Sequence, residues 1–168
     1  MAQHVEHKMR VNIPAKKVWE VLDDFSSIAR FSVAVEKSPL LEGKRSGVGT
    51  KRKCDFYDGS SVIEEIIDYQ EGKGIKIELS EYSMPLKSLH AEMKVEAIDG
   101  TTSDIFMSMD FVVKGGPLGW VMGFFMMRPM MKGVIKKTLT GLAYHSATGK
   151  LVGKELPSPD TLSVALSH

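Results

Sequence analysis

The sequence predicts an α+β protein: one antiparallel sheet of about seven strands, two short helices after the first strand, and one long helix near the C-terminus. Three observations lead there. Apolar residues recur at a period of two near the N-terminus and again between Ser32 and Lys114, interrupted by turn residues. The period lengthens to that of a helix after Pro14 and again from Pro117 to about Thr148. A chain of 168 residues suits one domain that buries roughly two-thirds of its unfolded surface.

The elements follow in order. In the first strand Val5, His7, Met9, Val11 and Ile13 point one way, with Glu6, Lys8 and Arg10 opposite. Pro14 suits a first helical turn, where its missing N–H has no partner to lose. The helix AKKVWEVLDDF then places Val18, Trp19, Leu22 and Phe25 at helical spacing, and a short second helix is expected over SSIARF. VAVEKSPLLEG and GVGTKRKCDFYDG are expected as strands around a GKRSG turn, followed by SVIEEIIDYQEG and GIKIELSEY. A last hairpin turns at Asp99-Gly100, a favoured hairpin dipeptide. Leu89, Ala91, Met93, Val95 and Ala97 share one face of it, as do Ile105, Met107, Met109, Phe111 and Val113 on its second strand.

In the long helix, uniform steps of 100° put Val121, Phe124, Phe125, Met131, Ile135, Leu139 and Leu142 on one side, with Arg128 among them. Pro129 is expected to kink or split it. The run GPLGWVMGFFMMRPMMKG is the most apolar in the chain, yet it is too short and too interrupted to span a bilayer, which takes ~20 apolar residues. Residues 1–149 are read as a single domain and 150–168 as a loosely ordered extension, since the tail holds two prolines and few large apolar residues.

Composition narrows the classes of function. With 22 basic and 21 acidic residues the net charge is +1, which gives no electrostatic reason to expect nucleic acid. The basic group Lys44, Arg45, Lys51, Arg52 and Lys53 has acidic neighbours and reads as a solvated hairpin. Cys54 is the single cysteine, so neither a disulfide framework nor a cysteine-cluster metal site is expected. The N-terminus lacks the apolar core of a signal peptide, and a cytoplasmic, soluble protein is expected. The G-x-G of SGVGTKR has Arg52 where a dinucleotide loop needs glycine, so Gly47 and Gly49 read as turn glycines. The five histidines show no ligand spacing, and neither a metal nor a cofactor is expected. Nine of the 11 methionines lie between positions 84 and 131, which suits either core filling or an adaptable binding surface.

The stretches VNIPAKKVWEVLDDFSSIARF, SGVGTKRKC, VIEEIIDYQEGKGIKIELSE, YSMPLKSLHAEMKVEAIDGTTSDIFMSMDF and GGPLGWVMGFFMM, in this order, resemble the START/Bet v 1-like (SRPBCC) superfamily, specifically its polyketide cyclase/dehydrase and lipid-transport branch. The likeness spans about residues 3–145. It implies a helix-grip fold, a curved sheet wrapped around the long helix, with a deep apolar cavity between them. Its walls would be Met93, Val95, Met107, Met109 and Phe111 from the last strands and Val121, Phe124, Phe125, Arg128 and Met131 from the helix. Strand alternation adds Arg52 with Cys54, and Glu65 with Tyr69, either inside the cavity or at its wet mouth. The resemblance implies binding or transport of a small hydrophobic ligand such as a lipid, quinone or polyketide-like aromatic. Two alternatives stand beside it: a polyketide cyclase/dehydrase using the same cavity, with Arg52, Glu65 and Tyr69 assisting enolisation or dehydration, and a protein-interaction module of the Hsp90-activator type.

Overall fold

Alternation at the N-terminus produces β1 (Ala2–Val11), in which Gln3, Val5 and Val11 are buried and the even-numbered residues face solvent. The computed structural model describes residues 1–163, 165 and 166. Strand β1 pairs with the last strand, β7 (Ser103–Val113), from Ala2 opposite Val112 to Val11 opposite Ser103. Between them in the chain come β2 (Val35–Lys37), β3 (Lys51–Phe56), β4 (Ser61–Gln70), β5 (Gly74–Ser80) and β6 (Leu86–Ala97). Every pairing is antiparallel, and the spatial order β1-β7-β6-β5-β4-β3-β2 leaves β1 and β2 as edges. The expected seven-stranded sheet is present.

One expected strand is much shorter than its sequence pattern. VAVEKSPLLEG contributes the three residues of β2 and one further bridge to β3, from Leu40 to Arg52, and the chain then loops until Lys51. Pro39 has no N–H for a ladder, and Gly43, Gly47 and Gly49 all adopt positive φ, which breaks extended pairing. The β6–β7 turn also departs from the hairpin type expected of Asp-Gly. Instead the Asp99 carboxylate accepts the backbone N–H groups of Thr101 and Thr102, each at 2.8 Å.

Helix α1 (Ala15–Asp23) starts one residue after Pro14 and buries Val18, Trp19 and Leu22. A single 3₁₀ turn (Phe25–Ser27) and the short α2 (Ile28–Phe31) complete the segment. The C-terminal helix runs unbroken from α3 (Gly116–Met122) through a π-turn (Gly123–Met127) into α4 (Arg128–Thr148). In the π-turn the Arg128 N–H bonds the Gly123 carbonyl, five residues back. Pro129 has no N–H to give, so the widened turn absorbs the proline that was expected to split the helix.

This turn also rephases the helix. Its inward residues become Gly119, Gly123, Met127, Met131, Ile135 and Leu139, each four positions from the last. Val121, Phe124 and Phe125, expected beside Met131, face outward, because uniform 100° steps omit the extra residue of a π-turn. Helix α4 lies on the sheet's inner face against β1 and β7, with α1 and α2 packed along it. Two glycines permit this approach: a Cβ on Gly141 would stand 1.9 Å from the Phe31 carbonyl oxygen, and one on Gly123 would stand 2.8 Å from Val113.

The tail is docked rather than loose over its described part. Val152 is buried and donates its N–H to the Arg30 carbonyl at 3.0 Å. After α5 (Pro159–Leu162), Leu162 and Ala165 are buried, the Asn12 N–H bonds the Ala165 carbonyl at 3.1 Å, and Leu166 bridges to Val11. Sparse apolar residues still anchor a terminus when its backbone groups find partners. Residues 164, 167 and 168 of the expected extension lie outside the described residues.

Two outcomes follow for stability. Ending the chain after Gly149 removes three buried apolar side chains, which costs about 2 kcal/mol or more and lowers the melting temperature by roughly 4–8 °C; calorimetry of the shortened chain measures it. Gly141→Ala destabilises by about 1–3 kcal/mol because the added methyl meets backbone, whereas Gly133→Ala, with open space around it, stabilises by about 0.5–1 kcal/mol. Urea denaturation of the two variants should therefore shift in opposite directions.

Candidate ligand site between sheet and helix

The hairpin β6–β7 supplies the apolar wall of the interior. Its register sets Met93 opposite Met107, Ala91 opposite Met109, Leu89 opposite Phe111 and Val95 opposite Ile105. Residues directly opposite share a face, so these side chains form one continuous inward surface, and all are buried. Met127, Met131 and Ile135 of the helix belong to the same buried cluster. Of the expected cavity residues, Met93, Val95, Met107, Met109, Phe111 and Met131 are thus brought together. Val121, Phe124 and Phe125 are not. Arg128 is half-buried on the flank of the helix, its guanidinium 5.3 Å from the Phe124 ring centre.

A polar cluster occupies the same inner face on strands β3 and β4. Arg52 and Cys54 are buried on β3, and β4 presents Val62, Glu64 and Ile66 inward. Arg52 stands opposite Glu64 and pairs with it: its Nε–H donates to Glu64 Oε2 at 2.6 Å, and its Nη2 forms an ion pair with the same oxygen. Its Nη1–H donates to the Phe25 carbonyl at 2.5 Å, and the guanidinium lies 3.8 Å from the Phe25 ring centre. These contacts satisfy a buried charge that would otherwise be costly.

Glu65, the carboxylate expected in this role, belongs to the outward face and sits 3.4 Å from Lys51. Sequence alternation could not separate the two, since β4 carries β-branched residues on both faces, Val62 and Ile66 inward against Ile63 and Ile67 outward. The signal lay in the β3–β4 turn: pairing Cys54 with Val62 across it places Glu64 opposite Arg52.

Tyr69 lies beyond a register shift between Ile66 and Asp68, which returns it to the side of α1. Its hydroxyl donates to Asp23 Oδ1 at 2.7 Å, and its ring is tilted against Trp19 at 5.6 Å. Desolvation, with Asp23 close by, pushes the phenol up to about 12. Burial, reinforced by Glu64, drives the Cys54 thiol far above its ordinary value, so it is a protonated core residue rather than a nucleophile. His7, which the motif reading passed over, is half-buried on the inner face opposite Met107. Among the described residues, no three His, Cys, Asp or Glu side chains gather to hold a metal ion.

Two concavities open at the surface. One, of about 410 Å³, lies between α1 and the end of α4, with Glu20, Asp24, Arg30 and His145 in its wall. The other, of about 780 Å³, lies where β5 begins beside β6, lined by charged residues together with Ile75 and Val95. Val95 is the one expected cavity residue that borders either. The other inward residues pack against one another.

This architecture recurs in solved structures. The protein XoxI from Bacillus cereus superposes with a TM-score of 0.69 at 18% identity, over 83% of this chain and 92% of that one. The Zhui aromatase/cyclase from Streptomyces sp. R1128 gives 0.65 at 21% identity, over 84% and 88%. Truncated norcoclaurine synthase from Thalictrum flavum gives 0.64 at 17% identity, over 84% and 91%. At such identities the likeness is one of fold. No curated protein sequence matches the chain. The family model described as polyketide cyclase / dehydrase and lipid transport matches residues 2–147, nearly the whole sheet-and-helix unit. The chain therefore belongs to the polyketide cyclase/dehydrase and lipid-transport family.

Proposed function

We propose that the protein binds and carries a small hydrophobic molecule, held between the β6–β7 face and the long helix, in the cytoplasm. One observation carries this reading: the interior wall is rich in methionine, while the strong polar groups nearby are already committed to one another. Met93, Met107, Met109, Met127 and Met131 are buried in one cluster. Methionine side chains turn about three soft bonds and repack readily, so an apolar guest is admitted by displacement within the interior. Arg52, Glu64 and Tyr69 meanwhile spend their hydrogen bonds on each other, on the Phe25 carbonyl and on Asp23.

A cyclase/dehydrase activity is the second reading, and His7 favours it as an inward-facing titratable group on the methionine wall. General acid–base work needs an oriented imidazole. His7 stands opposite Met107, so such work would act on a guest lying against that wall.

The test uses an apolar fluorophore, anilinonaphthalene sulfonate, with Met109→Trp. A ligand site filled by the larger ring loses roughly ten-fold or more in probe affinity with little change in stability. In a tightly packed core the same change costs about 1–3 kcal/mol and leaves probe binding as it was, which would remove the support for a carrier.

The polar cluster has a separate expected outcome. Glu64→Leu alone strands a buried guanidinium and destabilises by about 3–5 kcal/mol, while Glu64→Leu combined with Arg52→Met restores most of that loss. If the pair is structural, the double variant binds the probe as the parent does. Loss of probe binding in a stable double variant would place the ion pair at the ligand instead.

A further inference from the structure

The most apolar surface of the molecule lies outside the interior site. Leu118, Val121, Phe124, Phe125, Met126 and Met130 are exposed on the outward side of one helix, with Leu118 79%, Phe125 70% and Met126 69% accessible. At about 200 Å² per large side chain, roughly half exposed, they present roughly 600 Å², the top of the range for a monomer. The other exposed large apolar residues, such as Leu41, Ile67 and Ile98, are scattered over separate elements. The aromatic part is preorganised. Trp120 stacks on Phe124 at 5.6 Å, Phe124 meets Phe125 edge-on at 5.2 Å, and the Trp120 carbonyl accepts the Gln3 side-chain amide at 3.0 Å.

Charge identifies what this surface meets. From Phe111 to Lys154 the chain carries seven lysine or arginine residues and no aspartate or glutamate, although the whole protein is nearly neutral. Lys132, Lys136 and Lys137 are exposed on the next turns of the same helix, and Lys114 is exposed just before its start. We propose that the outward face of this helix docks on an anionic lipid bilayer, the aromatic and methionine side chains entering the headgroup–acyl boundary and the lysines contacting lipid phosphates. A symmetric second copy fits poorly, because it would set one acid-free cationic segment against another. The contact is peripheral, since no helix among the described residues is long and apolar enough to cross a membrane. It uses residues separate from the interior wall and holds for a carrier or an enzyme alike.

Vesicle flotation tests it, with phosphatidylcholine alone and with phosphatidylcholine and phosphatidylserine at about two to one. The parent protein should favour the anionic vesicles by roughly ten-fold or more, and Trp120 emission should shift to the blue on binding while the buried Trp19 stays constant. Phe125→Ser with Met126→Ser should cut partitioning at least roughly ten-fold. Changing Lys132, Lys136 and Lys137 together to glutamine should cut it roughly 100-fold, at roughly five-fold for each lysine. All five positions are exposed, so melting temperature and interior probe binding should not change. A parent protein that ignores both vesicle types, or an apolar double variant that partitions like the parent, overturns the proposal. Self-association abolished by the same double variant, without vesicle binding, would assign the face to a second copy and overturn it equally. Neither result would touch the probe experiment with Met109→Trp.

Discussion

The wide turn at Gly123–Met127 decides which face of the long helix meets the sheet, and most of the molecule's surface chemistry follows from it. An α-helix carried through this segment without the added residue would bring Val121, Phe124 and Phe125 round toward Met131. With the π-turn, glycine and methionine take the inward positions instead. Gly123 lets backbone sit against Val113, and Met127 and Met131 then fill the remaining irregular space. The bulky aromatic residues are left outside. A single change in local helical geometry thus separates a soft interior from an apolar exterior on one continuous element.

The opposite side of the grip is held by different physics. Arg52 joins three parts of the chain: its own strand β3, Glu64 on β4 and the Phe25 carbonyl of the 3₁₀ turn. Ser38 adds to this junction, accepting the Ala29 N–H at 3.2 Å and donating to the Ser26 carbonyl at 2.6 Å. The segment between α1 and β2 is therefore fastened to the sheet by directional polar contacts, whereas the long helix rests on it through apolar ones and the single Gln3–Trp120 hydrogen bond described above. A buried ion pair brings little net stability, because desolvation offsets most of its attraction, but it tolerates few alternative arrangements of its partners. Its contribution here is to position.

Much of this was readable from residue order. The faces of β6 and β7 emerge from strict alternation, and Val18, Trp19 and Leu22 are buried as helical spacing predicts. The parts that were not readable share a cause: a local signal that fits two arrangements equally. On β4 both faces carry isoleucine, so only pairing across the turn could tell Glu64 from Glu65. In the long helix, Gly119 and Gly123 read as looseness, yet Gly123 is a point of closest approach. Hydrophobic periodicity carries no sign of a π-turn until the positions beyond it fall out of phase. The docking of the tail depends on backbone carbonyls of Arg30 and Ala165, and backbone groups leave no trace in a side-chain pattern.

The tail's return to the sheet has a consequence of a different kind. Because the sheet does not close, β1 is a ten-residue edge whose unpaired backbone groups could accept a strand from another chain. Such templating begins most easily at a straight, unobstructed strand end. Leu166 bridges to Val11 and receives the Asn12 side-chain amide at 3.2 Å, so the last turn of the ladder at that end already has a partner from the same molecule. Farther along, His4 lies between Glu6 and Asp110, which crowds the edge with charge. The C-terminal segment thus works as a plug on the edge, guarding against chain-to-chain sheet growth in a protein whose opposite edge, β2, is kept to three residues.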